Sequence, residues 1–480
     1  MSAATVEWHP SRYNFCLPEE GGAILFNTRT AACMRLHGPD AGNVARALTS
    51  TQASIPQNVF DDHVVKTLEH AGFLIPSDFD ELEVIRQRFQ RARNDTPMVL
   101  TLTTTMDCNL GCYYCYEQRS SQHLSYADLP AILDLVKRKL QASRKNTFHV
   151  DWYGGEPMLN VGFMEQASQA LQELSDSLNV RYTASIISNG TSWPSDIAAF
   201  VQRHRITEVQ ISFDGLEDNH TRRRHLRHGY RAIAETSTFQ QAVETVDVLL
   251  DHVRVDIRLN IDRGNLKDVR PFIQWARARG WFSRTYPAVI QPARLAAYSA
   301  SSEFMRQTEL SVHEFNEIQA SIRKEVSGFA PLEEAETPDG FPYPRTSVCA
   351  ALANDSVVIG ADGLQYRCGL QVGETHRAVD YLETKPRKTL PMYHDSSATV
   401  RADSEWWDAF DPTNLPNCKR CSFLPICWGG CPKRHLEKDQ HALAEQGNYW
   451  RTNLARMIAT MVDSTVTEPF SYTEQDQFRP

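Results

Sequence analysis

The chain has 480 residues, 41% of them hydrophobic and 23% charged, with a formal net charge of -9. That length asks for about two to four domains, and the acidic balance argues against a general nucleic-acid binder. No apolar run approaches the roughly 20 residues of a bilayer span, and Met1 to Tyr13 lacks the apolar core of a secretory signal, so a cytoplasmic protein without a membrane partner is expected. Nine of the eleven cysteines fall in three groups, at 108–115, 349–368 and 418–431. Close-spaced runs of this kind in a reducing compartment mean metal before disulfide. Cys16 and Cys33 lie in apolar surroundings and are expected as buried small hydrophobes.

Residues 1–92 read as a small separate domain. Gly21 to Phe26 gives a turn and a strand, and Thr28 to Thr30 a second turn. Ala31 to Leu36 and Ala41 to Leu48 suit short helices. Phe60, Val64, Val65, Leu68 and Ala71 have the spacing of one helix face, closed by Gly72, and Phe73 to Pro76 reads as a strand. Ile85 to Arg93 is a connecting helix. From Met98 strands alternate with helices, the pattern of parallel βα units. Strands are expected at 99–103, 147–152, 181–187, 208–213, 253–260 and 285–290, with helices near 127–141, 162–177, 194–204, 238–252 and 266–279. A helix at Leu310 to Val326 and a Pro/Glu-rich bridge follow. Ser356–Ile359 and Leu364–Arg367 flank Asp362 and Gly363 as a small hairpin. Asn453 to Val466 forms a short helix before a polar tail.

The chemistry-bearing residues cluster at strand ends. Cys108, Cys112 and Cys115 form a Cys-x3-Cys-x2-Cys run in the loop after the first βα strand. Three thiolates so placed can hold three irons of a cubane and leave the fourth open; a three-cysteine zinc site with a distant fourth ligand is the other reading of the spacing. Gly154, Gly155, Glu156 and Pro157 follow the second strand, where two glycines let backbone approach a ligand. Ser188-Asn189-Gly190 ends the third strand and Ser212-Phe213-Asp214-Gly215 the fourth. Arg258 and Asn260 alternate with Val255, Ile257 and Leu259, so they share a face that would line a ligand cavity. His220 and the run Arg222-Arg223-Arg224 suit either a carboxylate partner or solvent.

With Tyr114 at its aromatic position, the cysteine run resembles the Cys-x3-Cys-x-aromatic-Cys signature of the radical S-adenosylmethionine (SAM) enzymes. The resemblance implies a partial (β/α)6 TIM barrel and a catalytic [4Fe–4S] cluster on Cys108, Cys112 and Cys115. It also implies SAM on the open iron, cleaved to a 5′-deoxyadenosyl radical, and an electron donor such as flavodoxin or ferredoxin. Gly154, Gly155, Glu156 and Pro157 match the family's Gly-Gly-Glu-Pro motif, which implies contact with the amino group of SAM. Ser188, Asn189, Ser212 and Asp214 stand where the family places ribose and methionine contacts, and Arg258 and Asn260 would line the SAM or substrate cavity.

Cys349-x13-Gly363-x4-Cys368 and Cys418-x2-Cys421-x5-Cys427-x3-Cys431 match the SPASM extension, a domain that binds two auxiliary iron–sulfur clusters. The resemblance implies Cys349, Cys368 and Cys431 on the first and Cys418, Cys421 and Cys427 on the second. Each set is one thiolate short, because the family's usual downstream cysteine and the frequent extra one near the first are both missing. A non-cysteine ligand, an open iron and loss of one cluster all fit; a candidate protein donor would come from Asp439 to Trp450, where His441 and Glu445 lie one helical turn apart. The order of elements in residues 1–92 is similar to the winged-helix domain that precedes many radical SAM peptide maturases and recognises a precursor's leader peptide. The domains expected are therefore 1–92 (winged-helix-like), 97–330 (barrel), 341–452 (SPASM) and 453–480 (helix and tail). The function implied is that of a radical SAM/SPASM maturase acting on a ribosomally made precursor peptide. Oxidation of a protein side chain or small molecule is the alternative within enzymes, and a non-catalytic iron–sulfur protein the alternative outside them. Sulfatase-maturating relatives carry an Asp after the cysteine matching Cys368; this chain has Gly369.

Overall fold

The computed structural model describes residues 7–38, 41–50, 60–230, 236–297, 300–327, 341–383 and 397–462. The bridge at 328–340 and the polar tail expected from the sequence lie outside them. The chain divides into two compact units, one built from Met1–Asp95, Leu332–Val348 and Ala409–Pro480, the other from Thr96–Pro331 and Cys349–Asp408.

The first unit begins with β1 (Trp8–Pro10), β2 (Asn14–Glu19), β3 (Gly22–Asn27) and β4 (Cys33–His37). There follow α1 (Ala41–Thr49), α2 (Asp62–Ala71), β5 (Leu74–Pro76) and α3 (Glu81–Asp95). Helix α2 is bounded as its sequence requires: the Asp61 carboxylate caps the Val64 amide, and Gly72 takes the left-handed conformation at φ 81°. Strands β2, β3 and β4 form an antiparallel sheet. Ala31 to Leu36, expected as helix, instead supplies most of β4. Its alternation decides this: Met34 and Leu36 are partly buried against α1 and α2, whereas Cys33, Arg35 and His37 face out. Cys33 is accordingly exposed rather than buried, and Cys16 half-buried.

The second unit is the β/α repeat. Strands β6 (Met98–Thr103), β7 (Thr147–Tyr153), β8 (Arg181–Ser188), β9 (Ile206–Phe213), β10 (Arg254–Ile261) and β11 (Val289–Arg294) run parallel, each beside the next. Between them lie α4 (Leu129–Ser143), α5 (Val161–Ser177), α6 (Ile197–Arg203), α7 (Glu217–Arg223), α8 (Thr238–Leu249) and α9 (Val269–Ala278), with α10 (Val312–Ser327) after β11. One strand face is apolar and packs on the helices: Leu100, Val150, Trp152, Ile186, Ile211, Val255, Ile257 and Leu259 belong to a single core. The last strand starts four residues later than the sequence suggested, because Pro287 has no amide to give a ladder; Pro292 is tolerated in β11 because that strand is the sheet's edge.

The hairpin β12 (Val357–Ile359) and β13 (Leu364–Tyr366), with β14 (Asp380–Tyr381), does not stand alone. Val357 pairs in parallel with Leu100, so these strands extend the sheet past β6 to nine. After α11 (Ser397–Ala409) the chain returns to the first unit with α12 (Leu424–Cys427), α13 (Pro432–Leu436) and α14 (Gln440–Val462). Phe15, Leu17, Ile24 and Phe26 from β2 and β3 share a buried core with Phe423, Ile426, Leu454 and Ile458. Ala23 and Leu25, on the other face of β3, pack with Leu48, Leu68 and Phe73. Thr28 Oγ1 donates to the Ser422 carbonyl at 2.6 Å, and Arg93 to that of Phe410 at 3.0 Å. The amino-terminal sheet is thus sandwiched between its own helices and the cysteine loop at 418–431. Among the described residues no helix is long and apolar enough to cross a membrane.

Candidate active site

The cysteine loop leaves the end of β6. Cys108 and Cys112 are 9% exposed and pack, with Cys115, among Leu110, Tyr114, Leu226, Leu295 and Met305. No cysteine is bonded to another. The Leu110 amide points at Cys108 Sγ from 3.4 Å and Asn189 Nδ2 from 3.7 Å. Burial, and then the Glu156 carboxylate, push the Cys108 thiol up to about 12. Buried thiolates therefore need a cation to replace the lost water, and three soft donors with amide groups aimed at sulfur fit an iron–sulfur cluster. Among the described residues no three Cys, His, Asp or Glu side chains gather as ligands of one ion. The thiolates of a cubane each bind a different iron and stand further apart.

The Gly154–Pro157 turn forms the adjoining wall. A Cβ on Gly154, whose φ is 139°, would lie 2.4 Å from the Thr105 carbonyl oxygen; one on Gly155 would lie 2.3 Å from that of Asp107. The amides of Gly155 and Glu156 donate to these same carbonyls at 2.9 Å. The close approach that demands glycine here is to the protein's own backbone leading into Cys108. Glu156 is fully buried and caps the turn that Pro157 opens. Its carboxylate accepts from the Met158 amide at 3.1 Å, Ser188 Oγ at 2.8 Å and the Asn189 amide at 2.7 Å. A carboxylate has about four acceptor positions, which leaves room for one more donor. Burial raises its pKa to about 7 against those hydrogen bonds. Asn189 also donates to Asn109 Oδ1 at 2.8 Å, tying the end of β8 to the cysteine loop.

Asp214 and Asn260 do not face open space. Tyr114 donates its hydroxyl to Asp214 at 2.7 Å, Asn260 Nδ2 lies 3.3 Å from the same oxygen, and Arg223 Nε reaches the other at 2.7 Å. Arg223 also grips Asp262 with both terminal nitrogens, at 3.1 and 2.9 Å, and lies over the rings of Tyr113 and Tyr114. Arg224 donates to the Tyr114 hydroxyl at 2.8 Å, and among the described residues its buried Nε has no partner. The basic run is therefore buried and paired at Arg223 and Arg224, while Arg222 stays exposed. His220 is buried against Phe213 and Phe239, and among the described residues its ring nitrogens have no partner.

Ser212 and Arg258 are register partners on β9 and β10, on the face away from the helix-packed core; Arg258 Nε donates to Asn260 Oδ1 at 3.2 Å. Tyr116 and Tyr153 meet hydroxyl to hydroxyl near Arg258, and Glu117 beside them is pushed up to about 7 by burial. Sequence reasoning missed Asp262, Tyr116, Glu117 and Tyr153. For Arg223 and Arg224 it left a carboxylate partner or solvent open, and the structure pairs both with Asp214.

The later cysteines divide between the units. Cys349 is exposed and Cys368 half-buried in the second; Cys418, Cys421, Cys427 and Cys431 lie in the first. Burial, and then the neighbouring Cys427 and Cys421, push Cys418 up to about 12; Cys427 rises to about 11 even with a Trp450 hydrogen bond. From α14, Gln446 accepts from the Cys431 amide at 2.9 Å, while His441 is exposed. The helix turns Gln446 and Trp450, not His441, toward the cysteine loop.

Residues 102–276 match the family model described as the radical SAM superfamily. The sporulation killing factor maturation protein SkfB of Bacillus subtilis is 23% identical over 224 residues, 46% of this chain and 48% of its own length. The chain thus spans about half the length of that relative. A serine-type anaerobic sulfatase-maturating enzyme of Klebsiella pneumoniae is 24% identical over 355 residues, 72% of this chain and 83% of its own. Among solved structures, "Native anSMEcpe with bound AdoMet and Cp18Cys peptide" aligns with a TM-score of 0.53 at 17% identity, covering 76% of this chain and 99% of that one. That likeness concerns the fold, an α/β architecture around a parallel sheet.

Proposed function

From the premise that residues 102–276 form a radical SAM domain, and that the chain is an enzyme of radical chemistry, we propose a maturase that oxidatively modifies a precursor peptide. Its second unit would be a partial (β/α)6 barrel. Cys108, Cys112 and Cys115 would hold the [4Fe–4S] cluster, and SAM would lie against the Glu156 turn. When bound, this pair supplies a 5′-deoxyadenosyl radical able to take a hydrogen atom from the peptide. Glu156, with one acceptor position open, takes the SAM ammonium. The unpartnered Nε of Arg224 suits a carboxylate. Ser212 and Arg258 present polar groups on the face where a ribose and a substrate would be received. The observation that carries this reading is the buried Glu156, bonded at once to the end of β8 and to the backbone leading into Cys108.

Residues 1–92 would act as the winged-helix-like recognition domain, with the peptide adding as a strand along the outer edge of β4. Cys349, Cys368, Cys418, Cys421, Cys427 and Cys431 would hold auxiliary clusters as a SPASM domain. These would accept the second electron of the oxidation, while a flavodoxin or ferredoxin in a reducing cytoplasm would donate the first to the catalytic cluster. The share of the sulfatase-maturating relative that aligns favours a second reading, oxidation of a protein side chain. Gly369 stands against it, since the acidic residue of that group is missing. The test is anaerobic incubation of reconstituted protein with SAM, dithionite and a synthetic precursor from a neighbouring reading frame. The peptide should lose hydrogen in step with 5′-deoxyadenosine release. Release of the nucleoside with every candidate peptide unchanged would reject the maturase reading.

A further inference from the structure

The segment from Arg224 to Tyr230 runs antiparallel to the cysteine loop and touches it at almost every residue. The Gly111 amide donates to the His225 carbonyl at 2.8 Å, and Leu110 and Leu226 form an isolated β-bridge. The Arg227 amide donates to the Asn109 carbonyl at 2.8 Å, and Arg227 Nη1 to the Cys108 carbonyl at 2.8 Å. The same guanidinium pairs with Asp107 Oδ1, while the Tyr230 hydroxyl donates to Asp107 Oδ2 at 2.9 Å. Asp107 in turn accepts the Cys108 amide at 2.9 Å. One carboxylate thus gathers a guanidinium, a phenol and the backbone of the first cysteine. Apart from Cys108, none of these groups belongs to a motif legible in the sequence.

The exposure of this group narrows its role. The Arg227 and Asp107 side chains are 41% and 36% exposed. Ion pairs so wet add little to global stability. They can still fix the direction of a backbone amide next to a metal ligand, and such outer partners govern metal retention. We propose that Arg227 and Tyr230 are positioning residues for the catalytic cluster that set the Cys108 backbone, Tyr230 through Asp107 and Arg227 both through Asp107 and directly at the Cys108 carbonyl. The proposal rests on the reading of Cys108, Cys112 and Cys115 as cluster ligands.

The experiment uses the full-length reconstituted protein. The electron paramagnetic resonance of its reduced clusters is recorded with and without SAM, so that the SAM-responsive signal isolates the catalytic cluster. Loss of that signal to an iron chelator is then timed. Arg227→Ala and Tyr230→Phe should lose it about tenfold faster than wild type, with Arg227→Lys restoring retention and the SAM-insensitive signal unchanged in each. In an Asp107→Ala background, Tyr230→Phe should add nothing, as it must if it acts through that carboxylate. Wild-type retention in both single variants, or an undiminished Tyr230→Phe effect without Asp107, would overturn the proposal. A wild-type protein with no SAM-responsive signal would overturn the cluster assignment beneath it instead.

Discussion

Replacing Arg223 with Met removes the cation from the most buried charged network in the second unit. The Arg223 side chain is 6% exposed and those of Asp214 and Asp262 are fully buried. Asp214 keeps the Tyr114 hydroxyl at 2.7 Å and Arg224 at 3.7 Å. Among the described residues Asp262 keeps only neutral donors, the Tyr113 hydroxyl at 3.0 Å and the Gly264 amide at 2.8 Å. The cost falls mainly on Asp262, a buried charge stripped of its counter-ion. Breaking such a pair costs about 3–5 kcal/mol. With Arg224 still serving Asp214, the lower figure applies, roughly a hundredfold in the local opening equilibrium. Amide hydrogen exchange at the end of β10 and in the 108–115 loop reads that equilibrium directly.

Adding Asp262→Asn should recover part of the loss at pH 7, since a neutral buried pair is cheaper than half an ion pair. Exchange in Arg223→Met within threefold of wild type would refute the view that this network braces the cysteine loop.

Three further outcomes follow from the same geometry. Burial lifts Glu156 to about 7, so SAM affinity measured by equilibrium dialysis should fall roughly tenfold per pH unit below that value and level off above it. Glu156→Gln should bind weakly with a flat profile; a titration unchanged by that variant would remove Glu156 from the SAM site. Gly155→Ala pushes a Cβ to 2.3 Å from the Asp107 oxygen and should lower stability by about 1–3 kcal/mol, with faster iron loss; wild-type unfolding and iron content would contradict the docking described. A bound precursor should slow amide exchange along β4, at Met34 to Leu36, by at least about tenfold. Tight binding that leaves β4 exchange untouched would move the peptide elsewhere. Deleting residues 1–92 is a poorer test, because Phe15, Leu17, Ile24 and Phe26 also cover Phe423 and Ile426 beside the later cysteines.

The parallel strands from β6 to β10 were legible because their apolar residues alternate and turns bound them, whereas β11 lacks that alternation. Pro287 shows how a local rule, that a strand needs its amides, displaces a boundary that apolar content alone had drawn too early. Ala31 to Leu36 failed for a different reason. Met34 and Leu36 fit a strand or a short helix equally until pairing with β3 settles the period. The merging of the amino-terminal sheet with the 418–431 loop was invisible, because nothing local in Phe15 or Ile24 names a partner some 400 positions away. The joining of β12 to β6 was hidden for the same reason. At the site, spacing revealed the cysteines and the Glu156 turn, since those positions answer to chemistry within a few residues. Arg227 was not readable as a working group, and Arg223 and Arg224 suited a carboxylate or solvent equally. A run of cations leaves that choice open until carboxylates from other strands are folded onto it.

The central claim is that Cys108, Cys112 and Cys115 hold the cluster that cleaves SAM. Its most direct test is 5′-deoxyadenosine formation from SAM under dithionite, by reconstituted wild type and by the variant with all three cysteines changed to Ala. Wild type should release the nucleoside, and the triple variant should release none while still binding iron at its later cysteines. Nucleoside release by the triple variant at a rate near wild type would contradict the account.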